Sequence, residues 1–225
     1  MATAAKKFYQ ILQADRQADV YIYGDITPER WSESDVSAAS FANQLRELDV
    51  DEIRVHIDSY GGSVSEGWAI YNALRQHPAR VVTYGDGFVA SAALYPFLAG
   101  DERIASSVSA YYLHQVSTAA FGYPDDLRKA ADEIEKMTDI GIQAFVERTG
   151  MTADEVRALM ESETWLAPQE ALEKGIATKI ETADESALPY AQDARRSILQ
   201  KVFAAQTEEK PEEKPSLMQA LAKMI

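Results

Sequence analysis

Apolar and polar residues alternate cleanly through Ile53-Arg54-Val55-His56-Ile57-Asp58, which sets Ile53, Val55 and Ile57 on one face of a strand. His56 falls on the opposite face beside Arg54 and Asp58, a surface or second-layer position. Val20 to Asp25 reads as an earlier short strand closed by a turn signal. From about Ser34 the spacing becomes helical, with Val36, Ala39, Phe41, Leu45 and Leu48 in one stripe. Val64 to Gln76 repeats that spacing through Trp68, Ile70, Tyr71 and Leu74, and His77-Pro78 ends it. Strands follow at Arg80 to Gly85, around Arg103-Ile104-Ala105, and at Tyr111-Tyr112-Leu113. Pro124 to Arg148 reads as one long helix, proline suiting its first turn, with a stripe of Leu127, Ala131, Ile134, Met137, Gly141 and Phe145. A stripe of that length serves either the core or a second subunit. Thr152 and Glu155 form a capping box for a short helix. Another short helix ends at Gly175, before a strand near Thr178-Lys179-Ile180. This alternation predicts an α/β domain with right-handed crossovers.

Beyond Ala183 the pattern weakens. Asp193 to Ala205 carries a weak helical pattern, and Glu208 to Pro215 is a charged, proline-punctuated run expected to be disordered. Ser216 to Ile225 reads as a small amphipathic helix or a frayed tail. The expected organisation is an N-terminal segment 1–19, a main α/β domain 20–183, a partly helical extension 184–205, and an acidic linker and tail 206–225.

Composition narrows the function. The 225 residues, 46% of them hydrophobic, suffice for one sizeable core, and no run approaches the length of a membrane span. The start of the chain lacks the continuous apolar stretch of a secretory signal. With 22 basic and 36 acidic residues the net charge is −14, which argues against a phosphate-tracking nucleic-acid binder. The chain has no cysteine, so thiolate chemistry and cysteine-based zinc sites are excluded. Of the three histidines, His56, His77 and His114, no two stand four apart, and we read no metal site and no cofactor.

The chemistry concentrates in three places. Gly87-Phe88-Val89-Ala90-Ser91-Ala92 leads from a strand into a helix of small residues. Serine there is a preferred N-cap. It is also where a hydroxyl and the free N–H of the next residue would meet the two needs of acyl transfer, a nucleophile and an oxyanion donor. His114, followed by Gln115 at a strand end, suits proton transfer near neutral pH. Gly61-Gly62, at the end of the Ile57 strand, permit positive φ and leave N–H groups open to a close-lying substrate. Each feature alone has a plain structural reading: a cap, a satisfied histidine, a tight turn. Together, each at a strand's C-terminal end, they point to a catalytic centre.

The same residues resemble the Clp protease proteolytic subunit, the ClpP-type serine peptidases, and especially the ClpP-like head-maturation proteases of phages and prophages. Ile57 to Ser63 resembles that family's strand and paired-glycine loop, Gly87 to Ala92 its nucleophile segment, His114-Gln115 its His-Gln pair, and Trp165-Leu166 with Glu170-Ala171 and Gly175 its last block. The likeness runs from about Val20 to Glu181. It implies a ClpP/crotonase-like spiral of repeated β-β-α units with a long protruding helix for ring–ring contact. It also implies a serine endopeptidase with Ser91 as nucleophile and His114 as base. The N–H groups of Gly62 and Ala92 would form the oxyanion hole. The family's third member is an aspartate two residues before the aromatic; here that position is Glu163, preferred over Glu161. Tyr60 stands where the family commonly has proline, and Ala92 where it often has methionine. The resemblance further implies homo-oligomeric, stacked rings. It implies protein or peptide substrates, capsid or scaffold proteins among them, an AAA+ ATPase as a possible partner, and a cytoplasmic setting, including a phage procapsid. Two other readings are a ClpP-like structural subunit without activity and a crotonase-fold acyl-CoA enzyme. A Ser-Lys peptidase is disfavoured by the His-Gln pair.

Overall fold

The computed structural model describes residues 9–14, 16–28 and 36–181, all within one compact unit, Met1–Ala187. The expectations for 184–205 and 206–225 lie outside the described residues. The backbone orders its elements as β1 (Tyr9–Ala14), β2 (Gln17–Ile22), α1 (Ala38–Arg46), β3 (Glu52–Ser59), α2 (Val64–Gln76), β4 (Arg80–Ala90), a 3-10 turn (Ser91–Ala93), α3 (Leu94–Leu98), β5 (Glu102–Ser106), β6 (Ala110–Leu113), α4 (Pro124–Thr149), α5 (Ala153–Glu161), β7 (Thr164–Leu166), α6 (Pro168–Glu173) and β8 (Lys179–Glu181). Among the described residues no helix is long and apolar enough to cross a membrane.

One mixed sheet carries the order β1-β2-β3-β4-β5-β8, and β6 with β7 forms a wing attached to the end of β4. β2, β3, β4 and β5 run parallel, joined by helical crossovers, while β1 pairs antiparallel with β2. β2 therefore begins at Gln17, three residues before the run of Val and Tyr starts, because Gln17 to Ile22 pair one for one with Glu52 to Ile57. The boundary expected at 19/20 falls inside this strand. The alternation of β3 is realised as Ile53, Val55 and Ile57 with no exposed surface, packed with Phe41, Leu45, Ile70 and Leu74 from α1 and α2.

β4 is longer than its sequence suggests. The pattern of Arg80 to Gly85 ends at a turn signal, yet the strand runs on to Ala90. A bulge makes this possible: Ile57 faces Gly85, but Ser59 faces Val89. The buried Asp58 carboxylate fills the gap, accepting from the Phe88 N–H at 2.8 Å. A Cβ on Gly87 would collide with that carboxylate, so the glycine is there for space. Bulges commonly re-aim strands near active sites. Before this bulge β4 pairs with β5; after it, β4 pairs with β6.

Arg103, nearly fully buried, ties the far side together. Its guanidinium donates to the carbonyls of Ile176, Gly100, Arg148 and Gly175 at 2.8–3.1 Å. Arg148 and Gly175 lie at the C-terminal ends of α4 and α6, where unpaired carbonyls collect and a cation is favoured. Burial, reinforced by Arg148 and Arg75, pushes its pKa down to about 10, so it stays charged at neutral pH.

Helix α4 buries only Thr138, Gly141, Ile142 and Phe145. Its first half is largely exposed, Leu127 included, with Ile140 exposed further along and Phe121 and Tyr123 exposed just before the helix. The observed architecture is the ClpP-like α/β class expected, long helix included.

Candidate active site

Ser91 stands where β4 ends and the 3-10 turn begins, with φ at +54°. A non-glycine residue in the left-handed region costs roughly 1–3 kcal/mol and persists only where its surroundings enforce it. Two glycines allow those surroundings to close in. A Cβ on Gly61 would lie 2.7 Å from the Ala92 nitrogen, and one on Gly67 of α2 would lie 2.7 Å from the Ala92 carbonyl oxygen. The loop and the helix thus clamp the turn from two directions.

His114 follows β6, whose Tyr111 and Leu113 are fully buried and whose Tyr112 faces out. By that alternation His114 shares the outer face with Tyr112. Its Nε2 lies 2.6 Å from the Ser91 Oγ, so with the proton on Nδ1 the ring accepts from the hydroxyl. The chain beyond is pinned to α4, where the Thr138 Oγ1 accepts from the Val116 N–H and donates to the Ile134 carbonyl.

The paired-glycine loop is fixed from behind. Ser59 Oγ accepts from the Gly61 N–H and donates to the Gly24 carbonyl. The Gly61 carbonyl and the Ser63 N–H then pair with Ile26. In extended backbone, successive residues point opposite ways, so the Gly62 N–H faces away from Ile26. Neither it nor the Ala92 N–H donates to another backbone group among the described residues. Gly62 has φ +133°, and a Cβ there would strike the Ile26 carbonyl. Both expected oxyanion donors line the same cleft as Ser91 and His114, a space of about 160 Å³ whose walls include Leu94, Leu113, Val116, Phe145 and Met160.

Glu163 is placed differently from the expectation. Were the antiparallel β6–β7 ladder extended one pair past Leu113↔Thr164, Glu163 would stand opposite His114. The ladder stops there, and Glu163 takes φ +48°. No hydrogen bond or ion pair joins its carboxylate to His114. Its charge bears instead on the Tyr112 hydroxyl, whose pKa is raised first by burial and then by the Glu163 carboxylate. Glu161, the second choice, ends α5 and is exposed.

His56 takes the second-layer place read from the alternation. Its ring stacks between Tyr21 and Tyr84, and its Nδ1 contacts Asp86 at 2.8 Å. Among the described residues no group of three or more His, Asp or Glu side chains could hold a metal ion.

Three contributors escaped the sequence reading. Gly67 looks like an ordinary helix glycine and Thr138 like a polar residue in a helix, and neither carries a local signal. Tyr112 did carry one, since it lies two residues before His114 on the same strand face.

The chain and its fold have counterparts among known proteins. The family model described as Clp protease matches residues 5–184. The ATP-dependent Clp protease proteolytic subunit 3 of Rhizobium meliloti is 30% identical over 173 residues, which are 75% of this chain and 85% of the relative. The proteolytic subunit 2 of Pseudomonas aeruginosa is 31% identical over 138 residues, 60% of this chain and 69% of the relative. Among solved structures, a point mutant of ClpP1 from Listeria monocytogenes superposes with a TM-score of 0.63 at 26% identity. That match covers 76% of this chain and 93% of the other.

Proposed function

This chain belongs to the Clp protease family, and from that premise we propose that it is a serine endopeptidase with Ser91 as nucleophile and His114 as general base. The observation that carries the reading is the 2.6 Å contact between Ser91 Oγ and His114 Nε2 on a left-handed serine. In the reaction, Oγ bonds to the scissile carbonyl carbon as Nε2 takes its proton, and the carbonyl electron pair moves onto oxygen. The N–H groups of Gly62 and Ala92 stabilise that oxyanion; one such donor is worth ~3 kcal/mol of barrier. Collapse expels the amine, which receives the proton from Nε2. A water then repeats the sequence on the acyl-enzyme and frees Ser91. Glu163 supports the histidine. The apolar cleft wall suits an apolar side chain next to the bond cut.

An extended polypeptide reaching this cleft inside an oligomeric chamber is the substrate we favour. The exposed apolar residues of and before α4, Phe121, Tyr123, Leu127 and Ile140, offer a surface for self-association. The names of the relatives attach an ATP-dependent activity to those proteins, which makes an ATPase partner the first to test, ahead of capsid or scaffold proteins as dedicated substrates. The decisive experiment treats the purified chain and Ser91→Ala with a fluorophosphonate probe and an unfolded protein substrate. Labelling and cleavage are expected in the first and neither in the second. An active Ser91→Ala, or an unlabelled parent chain, would overturn the reading and favour the crotonase-like or inactive-subunit alternative.

A further inference from the structure

A run of aromatic rings leads from the paired-glycine loop to the imidazole of His114. Tyr60 stacks on Phe88 at 5.1 Å, and Phe88 meets Trp165 edge-on at 5.7 Å. Trp165 stacks on Tyr112 at 4.5 Å, and Tyr112 on His114 at 5.3 Å with planes 20° apart. The arrangement follows from register. Trp165 is the direct antiparallel partner of Tyr112, and His114 follows two residues after Tyr112, just past the end of β6. Cross-strand aromatic pairs of this kind hold their rings in defined planes.

The imidazole therefore has two constraints. Its Nε2 edge is fixed by Ser91 Oγ, and its face is fixed by the Tyr112 ring. Its Nδ1 edge, where a triad carboxylate would act, is not bonded to Glu163. Building on the peptidase reading above, we propose that Tyr112 is a positioning residue, with its ring, backed by Trp165 and held at its hydroxyl end by Glu163, setting the plane of the His114 imidazole. Glu163 then acts on the histidine through Tyr112. The Tyr112 hydroxyl, protonated at neutral pH like any tyrosine, is a donor suited to that carboxylate. The left-handed backbone at Glu163 is the local device, because it ends the ladder before the glutamate can stand opposite His114.

The test is a double-mutant cycle on the assembled, full-length protein, with Tyr112→Leu as the disruptive variant. The rate of fluorophosphonate labelling, and kcat and KM on a peptide substrate, are followed, with thermal unfolding as a check on folding. Misplacement of a catalytic group by about 1 Å costs up to ~10²-fold. Tyr112→Leu is accordingly expected to lower kcat and labelling at least ~10-fold with KM unchanged. Tyr112→Phe and Glu163→Gln should each lose a smaller and similar factor, about 3- to 10-fold, and their double variant no more than either alone. Two results overturn the proposal. One is a folded Tyr112→Leu within about twofold of the parent kcat; the other is a Glu163→Gln loss undiminished in the Tyr112→Phe background, which would put the glutamate directly on the histidine. A parent chain that fails to label condemns the peptidase reading itself, so the two failures are distinguishable.

Discussion

Replacing Gly67 by alanine separates two effects that pull in opposite directions. In an ordinary helix interior the change would stabilise by about 1 kcal/mol, because alanine is the better helix former. Here the added methyl would sit 2.7 Å from the Ala92 carbonyl oxygen and 3.3 Å from the Ala92 Cβ. Ordinary contact distances are ~3.5 Å or more, so α2 and the turn must separate by about 0.8 Å. The obstacle is backbone and cannot rotate away. Overpacking of this kind costs ~1–3 kcal/mol, which offsets or exceeds the gain in propensity. Net stability should therefore fall by no more than about 2 kcal/mol. Activity has no such offset. The displaced Ala92 peptide carries one of the two proposed oxyanion N–H groups, and complete loss of a donor costs ~10²–10³ in kcat. A shift of that size should cost at least about 10-fold in kcat and leave KM alone. The assay is steady-state peptide hydrolysis alongside urea unfolding. Asn72→Ala on the exposed face of α2 serves as a control that leaves kcat unchanged. A folded Gly67→Ala with kcat within twofold of the parent would refute the idea that this close approach aims the Ala92 N–H.

Two further predictions concern stability. Arg103→Met should lose about 3 kcal/mol, because the carbonyls of Ile176, Arg148 and Gly175 lose their charged donor and each orphaned buried carbonyl costs at least ~1 kcal/mol; a loss under about 1 kcal/mol in urea unfolding would count against this account. Asp101 behaves differently with pH. Burial pushes its pKa up, but the Val81 N–H and Arg75 outweigh that and hold it below the usual carboxylate value. Its stabilising contribution is thus full above the unfolded carboxylate pKa and is lost as pH falls through the lower folded value. The gap in urea midpoint between the parent and Asp101→Asn should narrow between pH 5 and about pH 3, and a gap independent of pH would contradict it.

Much of this fold was legible where one segment's own pattern sufficed. Helix α2 begins and ends where the spacing and His77-Pro78 put it, and α4 begins at its proline. Legibility failed where a distant partner decides. The Gly85-Asp86-Gly87 stretch has turn chemistry, yet β4 continues because the Asp58 carboxylate, from another strand, replaces the missing backbone partner. The tract of residues 9–14 has no strong alternation and becomes a strand by pairing with β2. At the site, Ser91, His114 and Gly62 could be read because each carries its chemistry in its residue type and strand-end position. The conformation of Glu163 could not, since nothing in Glu161-Ser162-Glu163-Thr164 marks which glutamate will adopt positive φ. Tyr112 required knowing that Trp165 would lie beside it.

The fork in the sheet at β4 divides the site between two arms. Ser91 rides on the β4 arm, gripped by the paired-glycine loop and α2, whereas His114 and Glu163 ride together on the β6–β7 wing. The wing is joined to the rest of the sheet through only three residues of β4, Phe88 to Ala90. A tilt of the wing about that short seam would carry base and supporting glutamate away from the nucleophile as one unit, stretching the Ser91–His114 contact while leaving each half internally intact. A catalytic centre divided along such a seam depends on how two parts of one sheet are held against each other, as well as on its own residues.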